Sequence, residues 1–361
     1  MVKTLSLKNL LALILPLLLI SLILGGCSAQ EETKSKPEEK KEVYELTLAH
    51  FQPPTHEVET ILIQDWIKRI EEATDGRVKI TSYPGGTILQ GPEIYEGVVS
   101  GVADIGHSCY AYTRGRFPIM EAFMVPGIAY NNAKVSDWVA MDGIKEFDPA
   151  ELKDVKHLFT WSTGRGDLLT KVPVRDLAGL SGVEIGVTAG ERSDALKLLG
   201  GTGIVMPMPE HFEAISKGVT LGVVAPMETL KSFRIGEVTN YVTETPFLYN
   251  QLLFMVMNKD KWNSLPTEIQ NTIEEVNKQF YEDVVAGFYD QLNEVAIKWA
   301  QDEHSMEMIT LSEEEAQKWK DILKPLLDKR ISTLDESGLP GKEIVDRIME
   351  LADKYNQEYS N

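Results

Sequence analysis

The sequence predicts an α/β protein of two domains joined by a hinge, with a cleft between them and long helices toward its C-terminal end. Three observations carry this. Strand-period and helix-period stretches alternate through the first part of the chain, and the pattern starts once near residue 44 and again near 155. From about Pro266 onward the chain reads mostly as amphipathic helix. The body from about Val43 to Asn361 is also too long for one ordinary core, at roughly 100 to 200 residues per domain.

Taken in order, "YELTLAHF" (44–51) alternates as a strand. "EVETILIQDWIKRIEEATDG" (57–76) places Ile61, Trp66, Ile70 and Ala73 near helical spacing and stops at Gly76, and "RVKITSYP" (77–84) is again a strand, closing a β-α-β unit. "GPEIYEGVVSGVADIGHS" (91–108) reads as a helix from Pro92 followed by a buried strand at 103–107. The second set begins at "VKHLFTW" (155–161), with "VEIGVTA" (183–189) and "TGIVMP" (202–207) as strands around the helix "RSDALKLLG", and "PEHFEAISKG" as a further helix. Amphipathic helix is predicted at 267–303, 312–334 and 341–358.

The first residues form a separate problem. Lys3 and Lys8 precede an apolar run from Leu10 to Leu24, broken only by Pro16 and Ser21, which is shorter than the ~20 residues of a membrane-spanning helix and reads as a cleavable secretion signal. "LGGC" at 24–27 resembles the lipobox of bacterial lipoproteins, which implies a lipid on the Cys27 thiol after cleavage. With Cys27 so used, no disulfide is available to the mature chain, and Cys109 is most simply a small buried thiol. Residues 28–42 are charged and polar with almost nothing apolar, so they cannot bury enough surface to offset their ordering entropy and are expected to act as a tether.

A formal net charge of −19 makes phosphate backbones and anionic lipid surfaces poor partners, and no basic stripe with interleaved aromatics opposes that; nucleic acid is set aside. Enzyme motifs are not found. "THEVET" (55–60) has Thr60 where a zinc protease needs its second histidine, and "GHSCY" (106–110) has Tyr110 where a nucleophile elbow needs glycine. "PGG" (84–86) lacks the lysine and spacing of a phosphate loop, and no calcium-loop pattern occurs. The carboxylates Glu71 and Glu72, and those at 313–315, fall on helix faces that read as solvated, and the 6 histidines have no metal-ligand spacing. No cofactor or metal is implied, and catalysis is not expected.

Several stretches together carry a resemblance: "AHFQPPTH", "WIKRIEEATDGRVKITSYPGGTI", "GPEIYEGVVSGVADIG", "GRFPIMEAFMVPG", "GLSGVEIGV", "MPMPEHFEAISKGV" and "FMVMNKDKWNSLP". In this order they resemble the solute-binding proteins of tripartite ATP-independent periplasmic (TRAP) transporters, of the dicarboxylate-binding type, over roughly residues 45–345. The resemblance implies a two-domain periplasmic-binding-protein-like fold (type II-like) that closes on a small organic solute. It implies delivery to a permease with a small and a large membrane subunit, driven by an ion gradient. On this organisation 1–26 is a lipoprotein signal peptide and 27–42 the lipidated cysteine and tether. Residues 43–162 with about 249–288 form domain I, 163–248 with about 289–345 form domain II and connecting helices, and 346–361 form a helical tail. The receptor would be extracytoplasmic, held to a bacterial membrane through Cys27. A tethered surface hydrolase and a ligand sensor on a similar scaffold are the alternatives.

Family members usually hold a substrate carboxylate with an arginine ending "GLKIR", where a guanidinium makes two parallel charge-assisted hydrogen bonds. Here that position is Gly186; Leu221 replaces a family acid, and Ala225 stands where asparagine is frequent. A second family arginine is retained as Arg165 in "WSTGRGD", either an ion pair with Asp167 or a cation facing the ligand. Other positions matching the family pocket are His50, Phe51, Tyr110, Tyr112, Met208, Phe247 and Tyr249, each with core packing as its alternative. As a set they describe an apolar, aromatic pocket short of positive charge. A bulky or aromatic monocarboxylate, or a neutral solute, is therefore expected in preference to succinate, malate or fumarate.

Overall fold

The computed structural model describes residues 42–359. The expected signal peptide, Cys27 and nearly all of the expected tether lie outside the described residues. The remainder is built on ten strands: β1 (Tyr44–His50), β2 (Val78–Tyr83), β3 (Ile105–Cys109), β4 (Val155–Thr170), β5 (Glu184–Val187), β6 (Thr202–Val205), β7 (Gly222–Pro226), β8 (Tyr241–Glu244), β9 (Asn250–Asn258) and β10 (Glu307–Thr310).

β4 joins the two halves. Its first part pairs antiparallel with β9, extending the order β2-β1-β3-β9-β4 in the first lobe. Its last residues, from Gly166 to Thr170, pair with β7 on one side and β8 on the other, so the second lobe reads β6-β5-β7-β4-β8-β10. The sequence pattern shows only the start of this strand at 155–161, because "STGRGD" lacks apolar alternation. It is held extended by β9 at Ser162 and Arg165 and by β7 at Gly166 and Asp167, and a partner is invisible to local periodicity.

The change of sheet occurs at a bulge between Ser162 and Arg165. Gly164 there has φ +74°, in the left-handed region that favours glycine, and a Cβ would meet the Ala133 backbone nitrogen at 3.2 Å. The bulge is pinned by side chains: Ser162 Oγ accepts the Gly164 N–H at 2.9 Å and donates to Asn250 Oδ1 at 2.7 Å, where Ser136 Oγ also arrives at 3.1 Å.

Each lobe has its own apolar core. The first gathers Leu48, Trp66, Phe159 and Trp161 with Phe254 and Phe280. It also takes in Ile348 and Leu351 of the last helix, Gly341–Glu358, which packs on the helix Ala133–Phe147; the stretch expected as a tail belongs to this helix. The second lobe has two clusters, one around Val187, Val224 and Trp319 and one around Val223, Ala225 and Ala300. The predicted helix at 267–303 is two helices, Thr267–Phe280 and Phe288–His304, separated by a π-helical turn and by Gly287 at φ +85°. Ser312 caps the helix Glu313–Glu336, its Oγ accepting the Glu315 N–H at 3.2 Å. Among the described residues no helix is long and apolar enough to cross a membrane.

Gly186 lies inside β5 with the ring of His211 over it, so a side chain there runs into His211 Nδ1. Burial pulls His211 down to about 4, and its ring approaches the Met206 carbonyl without a well-formed hydrogen bond.

Two substitutions test these contacts by thermal melting. Gly164→Ala should lower the melting temperature by ~2 °C or more, since a non-glycine residue in that conformation costs about 1 to 3 kcal/mol. An unchanged melt would show that the crossing does not depend on the bulge. Gly186→Arg should destabilise by overpacking, about 1 to 3 kcal/mol, and Gly186→Arg combined with His211→Ala should recover part of the loss. A single variant as stable as the parent would contradict the His211 packing.

Candidate functional site

A narrow cavity of about 30 Å³ lies where the strand ends of the two lobes face each other. The first lobe supplies Phe51, Gln52 and His56 after β1, and Cys109 and Tyr112 at the end of β3. The second supplies Thr188 after β5, Met208, and Pro226, Glu228 and Thr229 at and beyond the end of β7. Thr163, Tyr249, Gln251 and Leu253 come from the crossing strands β4 and β9 and the residue before β9. Binding sites in open α/β sheets collect at such strand ends, because the turns there are free to vary while the strands hold them in place.

Phe51 and Tyr112 form an edge-to-face pair, ring centroids 5.3 Å apart. Both also line a wider outer groove of about 460 Å³ edged by Pro53, Pro54, Pro207 and Pro209, so this pair divides the groove from the inner cavity. Tyr112 Oη accepts the Met208 N–H at 3.1 Å and thereby links the lobes across the cleft.

A chain of buried hydrogen bonds holds Gln52. His107 Nδ1–H donates to the Phe254 carbonyl at 3.0 Å, leaving its Nε2 to accept from Gln52 Nε2 at 2.7 Å. Gln52 Oε1 then accepts from His50 Nδ1 at 3.2 Å, and His50 Nε2 meets Glu59 Oε2 at 2.8 Å. Both ring nitrogens of His50 are thus directed at side-chain oxygens, Nδ1 at Gln52 and Nε2 at Glu59. Burial opposes ionisation of Glu59, but hydrogen bonds from His50, Ser82 and Gln64 hold its carboxyl below the usual range.

The electrostatic centre of the site is Arg192, on the helix Gly190–Leu198 and only 2% exposed. Its guanidinium donates to neutral acceptors: Thr188 Oγ1 at 3.1 Å, Gln251 Oε1 at 3.0 Å and the Asn250 carbonyl at 2.5 Å. It lies 4.1 Å from the centroid of the Tyr249 ring, a cation–π contact. Among the described residues no carboxylate pairs with it, and its Nε has no partner. Burial pulls its pKa below the ordinary guanidinium value, with Tyr249, Cys109 and Tyr112 acting against that pull. Thr188, Tyr249 and Gln251 are themselves cavity wall, so a full positive charge stands directly behind it.

Glu228 brings the opposite charge to another part of the wall. Its side chain is 5% exposed, Ser232 Oγ donates to Oε2, and His56 Nε2 is 3.4 Å from the same oxygen. Burial pushes the Cys109 thiol well above its ordinary pKa, so it is a neutral wall group rather than a nucleophile.

Of the positions expected from sequence, Phe51, Tyr112, Met208 and Tyr249 line the cavity. His50 is fully buried beneath the wall and reaches it through Gln52. Tyr110 is in the first core, its hydroxyl 2.7 Å from Thr160 Oγ1 and its ring against Phe117 and Phe254. Phe247 packs on Trp319, Ala225 is in a second-lobe core, and Gly186 is covered by His211. Arg165 also stands off the cavity wall: its side chain is 32% exposed, with Nη2 at 3.1 Å from Glu244 Oε1 and Nε at 3.6 Å from Asp167 Oδ2. Burial raises Asp167 to about 6, against the pull of Arg165. Sequence reading did not single out Arg192, Glu228, His56, Gln52 or Gln251. Two of these left a signal: Gln52 follows Phe51 directly, and "GERSD" offers a lone arginine shortly after the position where Gly186 lacks one.

The model for bacterial extracellular solute-binding protein, family 7, matches residues 48–333. Among curated relatives, the 2,3-diketo-L-gulonate-binding periplasmic protein of Escherichia coli (strain K12) is 27% identical over 209 residues, covering 56% of this chain and 63% of that protein, less than two thirds of its length. A TRAP periplasmic solute-binding protein of Desulfovibrio salexigens superposes with a TM-score of 0.77 at 30% identity, covering 88% of this chain and 98% of the other. A marine-metagenome TRAP solute-binding protein specific for aromatic acid ligands, in complex with metahydroxyphenylacetate, gives 0.82 at 26% identity, covering 87% and 99%. With the two-lobed fold, the crossing strands and the cavity between strand ends, these matches establish that the chain belongs to the family 7 bacterial extracellular solute-binding proteins, the solute-binding proteins of TRAP transporters.

Proposed function

We propose that this protein is an extracytoplasmic receptor that captures a bulky or aromatic monocarboxylate and delivers it, unaltered, to a TRAP permease of small and large membrane subunits. The observation that carries this is the buried Arg192 guanidinium, held by neutral groups behind the cavity wall formed by Thr188, Tyr249 and Gln251. A buried cation without a counter-ion is unfavourable, and a ligand carboxylate brought against this wall supplies the missing charge. One such charge is what the site accommodates. A second carboxylate of succinate or malate would share the small cavity with Glu228, and like charges in a low-dielectric space repel strongly. Phe51, Tyr112, Phe233, Tyr249 and Tyr289 present ring surface suited to an aromatic body. The ligand class named for the metagenomic relative is consistent with such walls.

In this assignment Arg192, Thr188, Gln251 and Tyr249 form the carboxylate end. Phe51, Tyr112 and Met208 close over the solute, while His50 acts from beneath through Gln52. Arg165 would influence the ligand only at a distance. The lipobox-like "LGGC" gives Cys27 the role of lipid anchor, with 28–42 as the tether that keeps the receptor beside its permease.

Mass spectrometry of the solute that co-purifies, followed by calorimetry, tests the ligand class. An aromatic monoacid should bind at least about a hundredfold more tightly than succinate, and Arg192→Lys should weaken it by more than ~1.4 kcal/mol, or tenfold. Arg165→Ala should change the same Kd by less than about threefold, since its charge is already paired. Succinate or malate binding as tightly as the best monoacid would reject the assignment. For the anchor, Cys27→Ser should abolish metabolic labelling by palmitate and release the mature protein from membranes; unchanged labelling would place the lipid elsewhere.

A further inference from the structure

The carboxylate-binding role leaves one pair of buried polar groups in the cavity unused. His56 stands on the turn after β1 and Glu228 follows β7, so the two come from different lobes. The Nδ1 atom of His56 accepts the Val58 N–H at 3.0 Å, which leaves the proton of a neutral ring on Nε2. That Nε2 is directed at Glu228 Oε2 from 3.4 Å, yet it has no hydrogen-bond partner although the side chain is fully buried. The Phe233 ring lies edge-on to His56, centroids 5.4 Å apart, and Gln52 and Tyr289 stand on the same cavity wall. His56, Glu228, Gln52, Phe233 and Tyr289 all line the cavity. None of them contacts Arg192, whose partners are Thr188, Asn250, Gln251 and Tyr249.

A donor and an anionic acceptor side by side, one from each lobe, select the group placed against them. A methyl or a ring C–H satisfies neither. An ammonium pairs with Glu228 but has nothing to accept the His56 N–H. A second carboxylate accepts from His56 but meets the Glu228 charge. A hydroxyl accepts from Nε2–H and donates to the carboxylate in one position.

We propose that His56 and Glu228 form a hydroxyl-recognising subsite, and that the solute is a hydroxy-substituted aromatic monoacid whose hydroxyl bridges the two lobes. This rests on the monocarboxylate assignment above. Discrimination by such a site is steep, because an analogue without the hydroxyl leaves both buried groups unpaired.

Calorimetry with phenylacetate, its three ring-hydroxylated isomers and both enantiomers of mandelate tests the subsite. In the unmodified full-length protein at least one hydroxy acid should bind more than about tenfold tighter than phenylacetate. Glu228→Met, which removes the acceptor, should bring that ratio below about threefold, whatever its effect on phenylacetate itself. Glu228→Gln, which keeps an oxygen acceptor, should retain an intermediate ratio. Equal affinity for phenylacetate and every hydroxy acid overturns the subsite while leaving the monocarboxylate assignment standing, as does a preference that survives in Glu228→Met. Failure of all these acids to bind, with tight binding of a dicarboxylate, overturns both.

Discussion

An arginine buried without a counter-ion is the interaction on which the site depends. Arg192 is held by a hydroxyl, an amide oxygen, a peptide carbonyl and the face of a tyrosine, and each of those contributes surface or rigidity to the cavity. Neutral acceptors make the cation tolerable without cancelling its charge, so its field remains available to a ligand. A carboxylate in the same position would have cancelled that charge.

That arrangement is inseparable from the crossing of the lobes. The Asn250 carbonyl that Arg192 grips belongs to the first residue of β9, opposite Arg165 of β4 and beside the Gly164 bulge. The Asn250 side chain meanwhile collects Ser136 and Ser162 and donates to the Phe123 carbonyl at 3.3 Å. One residue therefore ties the second lobe's helix to the first lobe's sheet at the point where the strands change lobe. Gly166 admits the Tyr249 ring at the same place, since any Cβ there would lie 2.5 Å from the ring. The inner cavity wall is thus tied by several hydrogen bonds at Asn250, whereas the link at its mouth, from Met208 to Tyr112, is a single hydrogen bond.

Buried polar chains give the first lobe's wall a comparable fixity. Gln52 is oriented by His107 on one side and His50 on the other, with His50 in turn set by Glu59. Satisfied networks of this kind specify one geometry, because any rotation of the amide leaves a buried group unpaired. His56, by contrast, is fixed at one nitrogen only.

Much of the fold was written in local pattern. β1, β2, β3, β5 and β6 and the helices near the C-terminus all fall in stretches whose local pattern reads as strand or helix, β2 alternating as a half-buried element must and β3 running as a continuous buried stretch. The motif order carried the family and the two-lobed architecture. By itself the sequence also established the strongly negative charge and the missing arginine at Gly186. The full length of β4 was not legible, since its polar half is a strand only through partners distant in the chain. The site was legible in part: Phe51, Tyr112, Met208 and Tyr249 sit at strand ends or just beyond them, where motif position translates directly into place. Arg192 and Glu228 were not, and neither was the withdrawal of Tyr110, Phe247 and Arg165 from the cavity. Whether a charge is paired, and which face of an aromatic ring is covered, depends on groups from other elements. Only the tertiary structure brings those groups within the few ångströms over which hydrogen bonds and ion pairs act.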